Sequence, residues 1–176
     1  MESEWKERQE IPDPQVKDAA DQYENSRRIL EAQGAGSGVL LPLLNNSMVA
    51  VELYLKSLSA KKIYRPVENS DWSEVHAEPK KAGHELSKLL AAIPDEFREP
   101  LEREFRERHG VELPVTLSDY EGLFNKSRYA YEEHCDIGKY PLSPLMTVSA
   151  FLRDFVAQMQ PVERIQWSDT LASDGR

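Results

Sequence analysis

The segment "SRYAYEEH" (127–134) holds two side chains suited to phosphodiester chemistry. Arg128 is a permanent cation whose planar fork of donors fits a phosphate, and His134 is an imidazole able to move a proton near neutral pH. On an unbroken helix their six-residue separation turns about 600°, leaving the side chains roughly 120° apart and ~9 Å apart along the axis. Arg128 and Glu132, at i,i+4, pair more easily. The segment therefore reads in two ways: as the cation and imidazole of a site, or as a helix whose tyrosines enter the core while its charges face water. His134 stands four residues before Gly138, in a last turn where the backbone can tighten or fray and swing the ring round.

A second constellation lies in "VLLPLLNNSMVAVELYLKSLSA" (39–60), a helical stretch apolar almost all round, as expected of a helix at the centre of a bundle. Asn45, Glu52, Lys56 and Ser59 interrupt it, falling within about 60° of one another at 100° per residue. In one reading Glu52 and Lys56 form a structural i,i+4 pair. In the other the strip lines a polar pocket or a subunit contact, and it needs partners on another element because a buried unpaired charge is costly.

The four histidines, at 76, 84, 109 and 134, never fall at helical metal-ligand spacing, so the sequence predicts no metal site and no cofactor. His84 reads as a contact at the start of a short helix, and His109 as a favourable charge at a helix C-terminus. The single cysteine, Cys135, leaves no internal disulfide and reads as a small apolar filler. "GAGSG" (34–38) follows a helix and lacks a following Gly-Lys-Ser/Thr, so it reads as a turn rather than a phosphate-cradling loop. A net charge of −9 argues against a general nucleic-acid binder but leaves room for a local basic pocket. No run is long enough to span a bilayer and the N-terminus lacks a secretory pattern, which predicts a cytoplasmic protein without membrane contact.

The elements that must position these residues follow from periodicity. The 176 residues fit one domain: a flexible arm over 1–12, a helical bundle over 13–160 and a tail over 161–176. The first helix starts at Pro14 with Asp13 as its cap, shows Val16, Ala19, Ala20, Tyr23, Ile29 and Leu30 at helical spacing, and stops at Gly34. Ser37 is the expected cap of the central helix. A long excursion over 61–83 separates the second helix from the third, and "KIYRPV" and "SEVHAE" within it can pair as a short hairpin. "GHELSKLLAAI" and "PDEFREPLEREFRERHG" are the next helices. Another starts near Leu117 with Thr116 as its cap and ends at Gly138, and a last one covers about 143–159. The expected class is all-α, an up-and-down bundle of five to six helices.

"VELYLKSL" (51–58) on a central helix, a variable excursion, "GHELSKLL" (83–90) and "RYAYE" (128–132) on a late helix together resemble the higher-eukaryote-and-prokaryote nucleotide-binding (HEPN) domain family, over about 45–159. The resemblance implies a helical bundle that commonly pairs into a homodimer. Many members are metal-independent endoribonucleases with an arginine, four to six arbitrary residues and a histidine; "RYAYEEH" has five between. By similarity, Arg128 would hold the scissile phosphate and His134 would move a proton of the ribose 2′-hydroxyl or of the leaving oxygen. Asn45 and Glu52 would orient that pair, with Lys56 on the same strip, and two facing copies would build one composite cleft. The chain departs from the family pattern at Tyr129, where active members tend to carry a small polar residue, and at Asp136, where members controlled by a partner nucleotidyltransferase often carry tyrosine. The implied function is RNA cleavage, or RNA or nucleotide binding, in a defence or toxin–antitoxin setting with a protein partner. The alternative is a non-catalytic helical dimerisation or protein-interaction module.

Overall fold

A computed structural model describes residues 7–68, 73–80, 82–123, 126 and 141–166. Its elements run β1 (Glu7–Ile11), α1 (Pro14–Glu31), α2 (Leu40–Ser57), β2 (Ala60–Pro66), β3 (Ser73–Pro79), α3 (Leu86–Ala92), α4 (Asp95–His109), α5 (Leu113–Ser118), α6 (Leu142–Gln158) and β4 (Val162–Gln166). The chain is mostly helical, but the all-α expectation is corrected by a four-stranded antiparallel sheet in the order β3-β2-β1-β4.

The hairpin foreseen in the excursion forms, with Ala60 opposite Pro79 and Pro66 opposite Ser73. Its partners were not foreseen. Residues 7–11, assigned to a flexible arm, pair with β2, and residues 162–166, assigned to the tail, pair with β1 so that Ile11 lies opposite Val162. An unpaired strand edge presents a row of open donors and acceptors, and the two terminal segments fill those of β2 and then of β1. Lys62 Nζ donates to Glu10 Oε2 at 2.7 Å, offsetting the juxtaposition of Glu10 and Glu163 across β1 and β4.

α1 begins as expected: Pro14 occupies the first turn and Asp13 Oδ1 accepts from the Val16 amide at 3.0 Å. The Asp13 amide donates to the Ser57 carbonyl at 2.8 Å, fixing the start of α1 to the end of α2. Ser37 does not cap α2. Gly38, at φ +79°, adds a residue of left-handed turn between them, and the Ser37 hydroxyl turns back to the Gly34 carbonyl at 2.8 Å. Thr116 likewise lies inside α5, bonded to the Glu112 carbonyl at 3.0 Å, because Pro114 starts that helix earlier. The helix expected from Leu117 to Gly138 is interrupted, because α5 ends at Ser118 and residues 119–122 form a turn with Gly122 at φ +73°; its stretch over 127–138 lies outside the described residues.

α2 is central, packing against α1, α3 and α6. Its Leu44, Met48, Val51, Tyr54 and Leu55 are buried with Ile11, Leu89, Leu101, Phe105 and Leu152 in one core. α1 faces it differently from the expected apolar stripe. Its buried residues are Ala20, Glu24 and Arg27, while Tyr23 and Ile29 are 40% and 65% exposed. Arg27 grips Glu24 with two bonds, Nε to Oε2 at 2.7 Å and Nη2 to Oε1 at 2.8 Å, and Nη1 reaches Glu31 at 2.8 Å. The Ser149 hydroxyl of α6 donates to Glu24 Oε2 at 2.6 Å, and the Tyr54 hydroxyl of α2 donates to Asp21 Oδ1 at 2.7 Å. Polar contacts from neighbouring turns of α1 thus reach both α6 and α2. Hydrogen bonding to Glu24 raises the Arg27 pKa against the opposing effect of burial.

The Tyr54 pKa is raised well above its ordinary value, first by burial and then by its bond to Asp21. The folded chain therefore keeps this proton to higher pH than the unfolded chain, which releases it near ~10. The resulting stabilisation is full below about pH 10 and falls as pH rises further. Tyr54→Phe is expected to lose about 1 kcal/mol at neutral pH and to show a shallower alkaline decline, both measurable by urea unfolding. Arg27→Ala, which strands Glu24 in the core, is expected to cost about 3–5 kcal/mol in the same assay.

Candidate functional site

The polar strip of α2 meets a partner from another element. Glu52 is nearly enclosed, with its side chain 8% exposed, and both its oxygens are engaged. Lys56 Nζ donates to Oε1 at 2.6 Å, and the His84 ring contacts Oε2 through Nδ1 at 2.8 Å. An ionised carboxylate only accepts, so His84 donates to it from Nδ1. The imidazole is 49% exposed, so the cluster passes from a buried carboxylate to a solvent-facing ring within one side-chain contact.

Chain geometry explains why residue 84 reaches residue 52. β2 begins three residues after α2 ends, and the hairpin closes where it opened, with Ala60 opposite Pro79 and the Lys80 amide donating to the Ser59 carbonyl at 3.4 Å. The chain therefore returns to the C-terminal end of α2 regardless of the hairpin's length. Gly83, at φ +104°, occupies a conformation that side-chain-bearing residues rarely adopt, and His84 follows it alongside the strip. The short α3 has no side-chain cap of its own, and Glu121, beyond α5, accepts from the Ser87 amide at 2.7 Å. The His84 turn is thus held by carboxylates from two directions: Glu52 on the ring and Glu121 on the backbone three residues later.

The other strip residues separate. Ser59 turns its hydroxyl to the Lys56 carbonyl at 3.4 Å. Asn45 lies two turns before Glu52, and its Oδ1 is buried without a hydrogen-bond partner among the described residues. Arg128 and His134 lie outside the described residues, as do Glu132 and Cys135. Glu121 brings the chain to the start of α3, and so close in sequence to His84, seven residues before Arg128. His84, expected as a contact at the start of its helix, is that contact and also completes the strip. The cost of burying Glu52 on an apolar helix was the signal pointing to a partner of this kind.

The remaining histidines serve other ends. His109 packs against Phe105 at 4.7 Å with the rings tilted by 46° and meets Phe151 edge-on at 5.8 Å, closing the end of α4, where Gly110 at φ +72° terminates the helix. His76 contacts Glu74 on the exposed hairpin. Among the described residues no group of three or more His, Cys, Asp or Glu is placed to hold a metal ion, and no helix is long and apolar enough to cross a membrane.

The turn at 34–38 borders an apolar groove of about 600 Å³, lined among the described residues by Leu30, Val39, Leu40, Leu43, Leu142 and Met146. Gly34 and Gly36 both have positive φ there, and the segment joins two helices as a turn. Comparisons of the chain with family models, with curated proteins and with solved structures found no match.

Proposed function

We propose that the chain is a HEPN-like, cytoplasmic helical-bundle protein that pairs into a homodimer and binds and cleaves RNA without a metal, in a defence or toxin–antitoxin setting. The observation that carries this reading is the Glu52 carboxylate, buried on an apolar helix yet shared between Lys56 and a solvent-facing His84. A core helix gains nothing in packing from a buried carboxylate, whereas a site that handles a phosphodiester needs a cation for its charge and an oriented imidazole for its proton. In this reading Arg128 holds the scissile phosphate and His134 moves a proton, as the family resemblance implies, with Glu52 and Asn45 as supporting polar groups.

A second reading, a non-catalytic dimerisation or interaction module, is favoured by a separate observation. Leu40 and Leu41 are 57% and 41% exposed beside the apolar groove at the start of α2, with Ile29 exposed on the facing helix.

The purified protein is expected to cut a hairpin-containing RNA in the presence of EDTA, and His134→Ala to abolish cleavage while its circular dichroism and melting temperature hold. Undiminished cleavage by that variant sinks the catalytic role of His134. If the interaction reading is correct instead, no RNA is cut and Arg128→Ala lowers the melting temperature. Light scattering at micromolar concentration is expected to give a dimer; a wild-type monomer rules the dimer out. Leu40→Glu combined with Leu41→Glu separates the copies only if the groove is their contact.

A further inference from the structure

We infer that the outer edge of β3 is the contact through which two copies of this chain pair, in antiparallel register about Val75, so that their two sheets become one. The inference rests on the homodimer of the reading above and names its contact; it does not depend on RNA cleavage.

β3 ends the sheet on one side, pairing among the described residues with β2 alone. Pro79 has no amide hydrogen, and the Lys80 amide donates to the Ser59 carbonyl at 3.4 Å, which fixes the alternation of the β2–β3 ladder. Glu74, His76 and Glu78 therefore exchange hydrogen bonds with β2, while the N–H and C=O groups of Ser73, Val75 and Ala77 point to the outer edge. Edges that stay single are blunted by lysine, proline or a bulge. β3 has no lysine, its register with β2 runs without a bulge, and its one proline stands at its last position. Val75 is 42% exposed between the exposed Glu74 and His76, so this edge meets solvent at its middle.

A two-fold axis brings identical edges together, so each register is centred on one residue opposite its own copy. Charge and hydrogen bonding then select among the centres that β3 offers. Centred on Glu74, the pairing sets two carboxylates against each other; centred on His76, it sets Glu74 against Glu78 of the second copy. Centred on Ala77, it brings Val75 opposite Pro79, which has no N–H to give. Centred on Val75, the two Val75 residues exchange both main-chain bonds, and Ser73 of each copy does so with Ala77 of the other. Glu74 of each copy then faces His76 of the other in the closer, non-bonded kind of pair, where opposite partners attract. Glu74 already lies 3.4 Å from His76 along its own strand, so the two copies close a ring of two carboxylates and two imidazoles. The other outer strand, β4, offers no such match: centred on Glu163 or on Arg164 it opposes like charges.

Three sets of variants of the full chain test the contact. In a bonded pair the two Val75 α-carbons stand about 5.5 Å apart, within disulfide reach. Val75→Cys is therefore expected to give a cross-linked dimer under mild oxidation at micromolar concentration, beyond any seen in the wild type. Ala77→Cys is expected to give none, because those α-carbons are four residues out of step, more than about 13 Å apart. Val75→Pro removes an outward amide without touching the β2 ladder, and is expected to turn the dimer seen by light scattering into a monomer with an unchanged circular dichroism spectrum. Glu74→Lys alone is expected to weaken the dimer about tenfold, and its combination with His76→Glu to restore it.

A cross-link through Ala77→Cys in place of Val75→Cys overturns the register. A wild-type dimer that survives Val75→Pro, or that Leu40→Glu with Leu41→Glu separates, overturns the contact and leaves the homodimer standing. A combined variant no tighter than Glu74→Lys overturns the cross-strand pairing. A wild-type monomer overturns the homodimer and this contact together.

Discussion

A carboxylate with no access to water ties α1 to α6, and its neighbour Asp21 on the same helix ties α1 to α2. Glu24 is fully buried, and the desolvation of such a charge costs several kcal/mol unless its oxygens are occupied. Two Arg27 bonds from the same helix and the Ser149 hydroxyl from α6 occupy them, while Tyr54 of α2 binds Asp21 one turn earlier on α1. Sliding α1 by one turn would leave these groups unpaired, so hydrogen-bond satisfaction acts here as a constraint on register as well as on stability. Apolar contacts alone tolerate such a slip more readily because they are not directional.

With α2 fixed in this way, the rest of the chain is arranged around its two ends. At its C-terminal end the Ser57 carbonyl receives α1, through Asp13, and the Ser59 carbonyl receives the returning hairpin, through Lys80. The hairpin then supplies the edge on which β1 assembles, and β1 in turn supplies the edge for β4. The same closure returns Gly83 and His84 to the polar strip of α2, so the sheet and the candidate site follow from one geometric fact: the excursion starts and ends at the same point.

The two polar clusters of the helical part differ in what they do with a buried carboxylate. Around Glu24 the hydrogen-bonding partners Arg27 and Ser149 are themselves buried, and only Arg153, at 3.9 Å, reaches toward the surface. Around Glu52 one partner is a half-exposed imidazole, so the effect of the buried charge is delivered to the surface. That contrast makes the second cluster the candidate for chemistry and the first a structural element.

Local patterns were legible wherever neighbours in sequence are neighbours in space. The start of α1 at Asp13 and Pro14, the apolar character of α2, the Glu52–Lys56 pair and the hairpin all depend on contacts within a few residues or across one turn, and each could be read from spacing. The placement of β1 and β4 could not, because residues 7–11 acquire strand structure only when edges more than fifty residues away along the chain are offered to them. Nor could the burial of Glu24 and Arg27: at Ala20 plus four and plus seven they lie on the stripe that faces α2 and α6, yet their residue types mark a wet surface, and only partners on another helix make that stripe an interior one. His84 shows the same division. The sequence by itself determined that an acidic residue stands on an apolar helix and requires a partner; which histidine answers it was decided by the closure of a hairpin, a tertiary contact that no local periodicity encodes.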